Sequence, residues 1–383
     1  MAVSKFREKL YRFLNKILPK FRQVIVIGDS RIETNALELA NYISGHVKVP
    51  VYYVVTKKFS AAAKSLLLPG IKLVNYPGLH YRVLHLSSKY IFSTHGSSLG
   101  GSTKRQKFIN VWHGVGHKKI RLLRNEAGIP ATVTVATSPL TQSMFSECFG
   151  VPLDSVFICG YPRNDLMLRA KKERGRLRKE MEPDLSRYAK VLIWMPTFRR
   201  ESSGAILRAG LEENNPFQVA GFDAAAFNEI LVKNNALCLV KPHYYASANN
   251  KFQQLSNVLV IDNDWIGRQG ITLYHLLACT DLLITDFSSV MMDYILLDQP
   301  VICFSTDLEG YKNTQGLYFE DIENWLPTQL IQHEEEFFRY LSTMLFTGAD
   351  PGLEKRKAIR DLYFTFQDDK STQRLVEHVF SNA

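Results

Sequence analysis

LLITDFSSVMMDYILLDQPVICF, residues 282–304, decides the fold. Three apolar residues and a threonine, 282–285, read as a buried strand. A polar turn of Asp286, Phe287, Ser288 and Ser289 follows. Residues 288–297 carry helical spacing, and 301–304 are the next apolar run. Strand, short loop, helix, strand is the repeating unit of a mostly parallel sheet covered on both faces. Outward from this stretch the alternation continues. Strands are expected at 191–195, 237–240 and 258–261, and helices at 224–234 and 273–279. Further helical patterns occupy 334–346, 353–365 and 371–380. The first half repeats the scheme, with strands at 23–28, 49–55, 72–76, 89–93, 108–112, 133–137 and 156–159 and a helix at 33–44. Between the halves, 165–189 is highly charged and reads as a helix and connector. The expected class is α/β, with two Rossmann-like doubly wound domains and a cleft between them; ligands in such sheets bind beyond the carboxyl ends of strands. The division drawn from sequence is 1–22, 23–165, a connector 166–189, and 190–383.

The chain has 383 residues, 46% hydrophobic and 22% charged, with a net charge of +10. That balance excludes wholesale disorder and gives each half enough apolar material for a core. The charge is uneven. Residues 1–22, 104–124 and 163–190 carry +6, +7 and +5, leaving the rest of the chain at −8. Localised basic patches on an acidic body point to anionic partners at particular places, not to a nucleic-acid coat. Five cysteines without a Cys-x-x-Cys pair fit inert thiols in a reducing compartment. No apolar run reaches the ~20 residues that span a bilayer. Residues 4–18 read as an amphipathic helix: Phe6, Leu10, Phe13, Leu14, Ile17 and Leu18 share one face, Lys5, Lys9, Arg12 and Lys16 lie beside it, and Pro19 ends it. Such a helix can lie in an anionic membrane interface.

Chemistry gathers at strand ends. The turn at Asp286, Ser288 and Ser289 opens a helix, whose first-turn N–H groups suit phosphate; Ser288 is the expected N-cap, with Asp293 one turn further along the same face. WHGVGHKK (112–119) presents His113 after a strand, in a glycine-bared loop followed by two lysines. A histidine there can accept a proton near neutral pH. KPH (241–243) ends another strand in Lys241 and His243, MPTFRR (195–200) supplies Thr197 and Arg199, and GYPRND (160–165) closes the first half. Cations to neutralise it, a helix start to cradle it and a histidine to activate a nucleophile together form the inventory for a diphosphate. Neither a P-loop nor a G-x-G-x-x-G fingerprint is present. His113 and His117 lack the third ligand of a zinc site.

WHG with its KK, GYPRND, MPTFR, KPH and TDFSSVMMDYILLDQPVICFSTDLEGY strongly resemble the CDP-glycerol glycerophosphotransferase family, which includes teichoic acid primases and polymerases and related capsule polymerases. The resemblance covers roughly residues 105–320. It implies a GT-B-like fold and transfer of glycerol phosphate from CDP-glycerol to a hydroxyl of a polyprenyl-diphosphate-linked acceptor or growing chain, with release of CMP, at the cytoplasmic face of the cell membrane. It places the functional histidines at His113 and His243. It places the phosphate-binding turn at Asp286, Ser288 and Ser289, with Asp293 behind, and substrate contacts at Thr197, Arg199 and Lys241. No resident metal is required, although a diphosphate can bring its own divalent cation. The alternatives are a GT-B glycosyltransferase using a nucleotide sugar and a CDP-ribitol ribitolphosphotransferase.

Overall fold

The computed structural model describes residues 2–28, 34–55, 64–96, 104–114, 116–197, 215–242 and 255–381. The chain divides into two compact units. The first comprises 1–113, 120–166 and 363–383, the second 114–119 and 167–362.

The first unit is built on a seven-stranded parallel sheet of β1 (Phe21–Ile27), β2 (Val51–Val55), β3 (Lys72–Asn75), β4 (Ser88–Ser93), β5 (Lys107–Asn110), β6 (Val133–Ala136) and β7 (Val156–Ile158). Its order is β3-β2-β1-β4-β5-β6-β7. The second unit carries β8 (Lys190–Met195), β9 (Ala236–Val240), β10 (Val258–Val260), β11 (Leu282–Thr285), β12 (Val301–Phe304) and β13 (Leu330–Ile331), in the order β10-β9-β8-β11-β12-β13. Both sheets therefore reverse direction once, between β1 and β4 and between β8 and β11, the doubly wound pattern with its topological switch point. The unbroken apolar runs have their cause here: every residue of β9, β11 and β12 is buried, as a parallel strand covered on both faces requires. In the second core, Trp194 packs against Phe217, Phe227, Phe337 and Phe304 at ring separations of 4.9, 5.5, 5.3 and 6.1 Å.

Three structural findings differ from the sequence reading. The helix expected from Ser288 starts later, as Val290–Tyr294, and passes into a 3₁₀ turn at Ile295–Leu297. Ser289, not Ser288, holds the N-cap position, with helical backbone and no side-chain cap. The carbonyls of Ser288 and Ser289 accept from Met291 N and Met292 N, three-residue spacings that tighten this start. Second, the last helix, Ser371–Ser381, belongs to the first unit although 190–383 was drawn as one domain. Its first turn is held by the buried carboxylate of Asp165, which accepts from Ser371 N at 2.9 Å and from Thr372 N and Oγ1 at 2.7 Å each. Burial raises the pKa of Asp165, and those bonds from Thr372 and Ser371 oppose the rise. Replacing Asp165 by alanine orphans all three donors, and the first unit is expected to lose about 3 kcal/mol of stability in a denaturant melt. Third, part of the basic stretch 163–190 is internal. Arg174 and Arg178 both grip Asp281, whose Oδ2 also accepts from Val191 N at 2.7 Å, and Lys171 donates to the Leu297 carbonyl at 2.6 Å.

The N-terminal helix is Ala2–Ile17. It docks through a polar contact: buried Asn15 donates to Gln106 Oε1 at 3.2 Å and accepts from Lys20 Nζ at 2.7 Å. Burial, then Arg105, lowers the Lys20 pKa to about 8. Leu10, Phe13 and Ile17 consequently face outward, 43%, 58% and 55% exposed. No helix among the described residues is long and apolar enough to cross a membrane.

Candidate active site

In the first unit the candidate residue is His113, just past the carboxyl end of β5. The backbone leading to it is pinned to its neighbours: Val111 N donates to Ser93 O at 2.8 Å, and Asn35 Nδ2 to Trp112 O at 3.4 Å. The buried guanidinium of Arg163 donates to the His113 carbonyl, giving the GYPRND motif a direct hold on this turn. His113 Nδ1 lies 3.1 Å from Thr94 O. A carbonyl can only accept, so Nδ1 carries the proton and Nε2 is left as the basic nitrogen. The His95 ring stacks on it, 4.5 Å away and 16° from parallel, and Trp112 flanks it at 4.1 Å. The ring is hemmed in by protein yet keeps an open edge to solvent. Burial, then His95, Arg163 and Arg121, push its pKa down to about 3, against a hydrogen bond to Thr94. The open edge governs access and the crowding governs charge: this histidine is neutral at physiological pH.

In the second unit, the carboxyl ends of β8 and β11 meet at the switch point, where Met195 is paired with Thr285. Asp286 bridges the two ends: its Oδ1 accepts from Thr197 N at 2.9 Å and from the Thr197 hydroxyl. Both residues are buried, so the pair sets the shape of the turn. Phe287 is buried against Tyr311, and Ser288 and Ser289 are half-buried at the lip. Asp293 is buried and accepts from Tyr274 Oη at 2.8 Å, a role inside the unit and not at the lip. Lys241 N donates to Trp194 O at 2.8 Å, seating this half-buried lysine at the end of β9, with β8 between it and the strand that leads into the turn.

The lysine-bearing half of the WHG loop belongs to this same unit. A methyl group on Gly116 would lie 3.2 Å from Ser289 Cβ, so loop and turn are in close approach. Tyr318 N donates to His117 O at 2.6 Å, Lys119 N to Gly316 O at 3.2 Å, and Lys118 pairs with Leu317 in an antiparallel bridge with its Nζ 5.7 Å from the Tyr311 ring. His117 is buried, and burial lowers its pKa to about 4. Two motifs whose contacting residues, Gly116 and Ser289, lie 173 positions apart thus meet at one lip, and the loop that carries Gly116 continues into two lysines, residue types suited to phosphate oxygens.

The structure brings together Thr197, Asp286, Ser288 and Ser289, with Lys118 and Lys119 on the adjoining loop; Lys241 joins the same sheet edge. Arg199 and His243 lie outside the described residues. Sequence reading passed over Thr94, His95 and Arg121 around His113, and Gly316–Tyr318 against the loop. Among the described residues, no three His, Cys, Asp or Glu side chains group to hold a metal ion.

A family model described as CDP-glycerol:poly(glycerophosphate) glycerophosphotransferase matches residues 11–381. The chain is 28% identical over 292 residues to the teichoic acid ribitol-phosphate polymerase TarL of Staphylococcus aureus, covering 73% of this chain and 48% of that protein. It is 22% identical over 394 residues to the teichoic acid glycerol-phosphate primase of Bacillus subtilis, covering 96% and 93%. The chain spans about half the length of the ribitol-phosphate polymerases it matches. Among solved structures, the wall teichoic acid polymerase TagF superposes with a TM-score of 0.77 at 18% identity, covering 99% of this chain and 95% of that one. The likeness establishes the two-sheet α/β fold.

Proposed function

Because the chain belongs to the CDP-glycerol:poly(glycerophosphate) glycerophosphotransferase family, we propose that it moves glycerol phosphate from CDP-glycerol to a hydroxyl of a polyprenyl-diphosphate-linked acceptor, or of a growing polyol-phosphate chain, in teichoic acid or capsule-type polymer synthesis. The observation that supports this reading is the close approach of Gly116, in a loop that goes on into two lysines, to Ser289 of the Asp286–Ser289 turn at a switch point.

The two sheets are read as the halves of a GT-B-like transferase, with the first unit as acceptor domain and the second holding the CDP donor. The donor's diphosphate lies at the first-turn N–H groups after Ser288 and Ser289. Thr197 and Asp286 hold that turn in shape. Arg199 and Lys241 offset the charge of departing CMP, and His243 contacts the phosphoryl oxygens. The acceptor hydroxyl attacks the glycerol-bearing phosphorus, its proton passes to His113 Nε2, and the bond to CMP breaks with its electron pair leaving on CMP. The protein adds positioning and electrostatics, which dominate phosphoryl transfer.

Acceptors of this kind are anchored in lipid, so the enzyme works at the cytoplasmic membrane surface. Leu10, Phe13 and Ile17 point outward beside Lys9, Arg12 and Lys16, the pattern of a helix lying in an anionic interface. The variants Phe13→Glu and Ile17→Glu, which put a negative charge at exposed apolar sites, are expected to abolish binding to anionic vesicles; retention of binding would remove the helix from the account.

Ribitol is the second reading, favoured by the likeness to TarL. The deciding experiment offers purified protein CDP-glycerol, CDP-ribitol and nucleotide sugars with a synthetic lipid-linked acceptor. The expected result is CMP release and product mass rising by glycerol phosphate. Release of a nucleoside diphosphate from a sugar donor would overturn the phosphotransferase reading.

A further inference from the structure

Arg121 is held in the left-handed backbone region at φ 49°, a conformation that carries strain for a side chain with a Cβ. Nothing in the chain path forces an arginine there, since glycine would take that conformation freely. The side chain is nonetheless tightly placed. Its Nη2 donates to His95 O at 3.0 Å, and its guanidinium lies 5.2 Å from the Trp112 ring centroid. Its Nε is buried and has no hydrogen-bond partner. The nearest carboxylate, Glu126, stands 3.8 Å away and is half exposed, a weak pairing. Arg163 donates to the His113 carbonyl from below, and His95 stacks on the His113 ring. Around one neutral, solvent-facing imidazole the first unit thus assembles two guanidiniums and a second imidazole.

Strain is kept where it is repaid by function, and a planar guanidinium that is partly exposed beside a histidine is a group that proteins use to grip a phosphate ester. We propose that Arg121, with His95, forms a second anion site, separate from the donor's diphosphate turn, that binds a phosphate ester of the acceptor and holds the neighbouring hydroxyl at His113. The acceptor assignment rests on the transfer reaction proposed above; the anion site itself does not. Such a site favours acceptors that already end in a polyol phosphate over uncharged ones.

The test uses the full chain with ¹³C-labelled histidine, read by NMR, with the His95 and His113 rings assigned from single substitutions. Glycerol 3-phosphate is the acceptor-like probe and CMP the donor-side probe. Glycerol 3-phosphate is expected to shift both rings in a saturable way, while CMP leaves them in place. Arg121→Gly, which fits the left-handed backbone and so keeps the fold, is expected to weaken glycerol 3-phosphate binding by about tenfold or more. Arg121→Lys should restore it only in part, because the fork geometry is lost. Unchanged affinity in Arg121→Gly, no shift in the wild type at the highest soluble concentration, or a response to CMP in place of glycerol 3-phosphate would each overturn the proposal. None of these outcomes touches the donor reading, which is judged separately by CMP release.

Discussion

His113→Ala is expected to lower kcat by about 10²–10⁴ while leaving the melting curve and KM for the donor nearly unchanged. The expectation follows from the tautomer. With Nδ1–H committed to Thr94 O, Nε2 is the nitrogen of this ring that is left to accept the acceptor's proton. The pH dependence sharpens the test. In the free enzyme burial and the neighbouring cations lower the His113 pKa to about 3, so kcat/KM should show no loss from this residue as pH falls from 8 to 5. A bound diphosphate brings negative charge, which favours the imidazolium and raises that pKa. The acid limb of kcat should accordingly lie at higher pH than that of kcat/KM, and His113→Ala should lose the difference. Near-normal turnover in a folded His113→Ala protein would contradict the assignment.

Gly116→Val should reduce kcat/KM by about 10²-fold, the cost of moving a phosphate cradle by roughly an ångström. Even a single methyl at this position lies 3.2 Å from Ser289 Cβ and 3.9 Å from its Cα, and valine adds two more carbons beside that contact. The loop cannot retreat easily, because His117 O and Lys119 N are bonded to Tyr318 and Gly316. Ser289→Gly opens room on the other side, so the double variant should recover part of the activity. If Gly116→Val is fully active, the contact between loop and turn has no part in catalysis.

Much of this was legible in the sequence because parallel strands buried on both faces leave unbroken apolar runs. The strands at 282–285 and 301–304 have the expected limits, and the polar residues that follow such runs sit at carboxyl edges as the fold demands. Less legible was whatever depends on partners distant in the chain. Asp165 reads as part of a strand-end motif but spends its charge on the first turn of Ser371–Ser381, a contact across more than 200 residues. Asp293 keeps helical spacing from Ser289, yet its partner is Tyr274. The helix Leu79–Ser87 was missed because its outward residues include Leu79 and Val83 while His85 is buried, inverting the usual pattern. The helix Pro139–Phe149 does carry a sequence signal, Ser138 capping Thr141 with proline at the first turn, that the reading did not use. His95 and Arg121 had no motif to mark them; only folding sets them around His113.

The proposed transfer needs a donor diphosphate at the serine turn and an acceptor hydroxyl at the WHG histidine. The most direct measurement is an experimental structure of the protein with CDP-glycerol and an unreactive acceptor analogue. The account predicts diphosphate oxygens about 3 Å from the backbone N–H groups at 288–290, and the acceptor hydroxyl within about 3 Å of His113 Nε2. A diphosphate bound away from that turn, or an acceptor hydroxyl out of reach of His113, would contradict it.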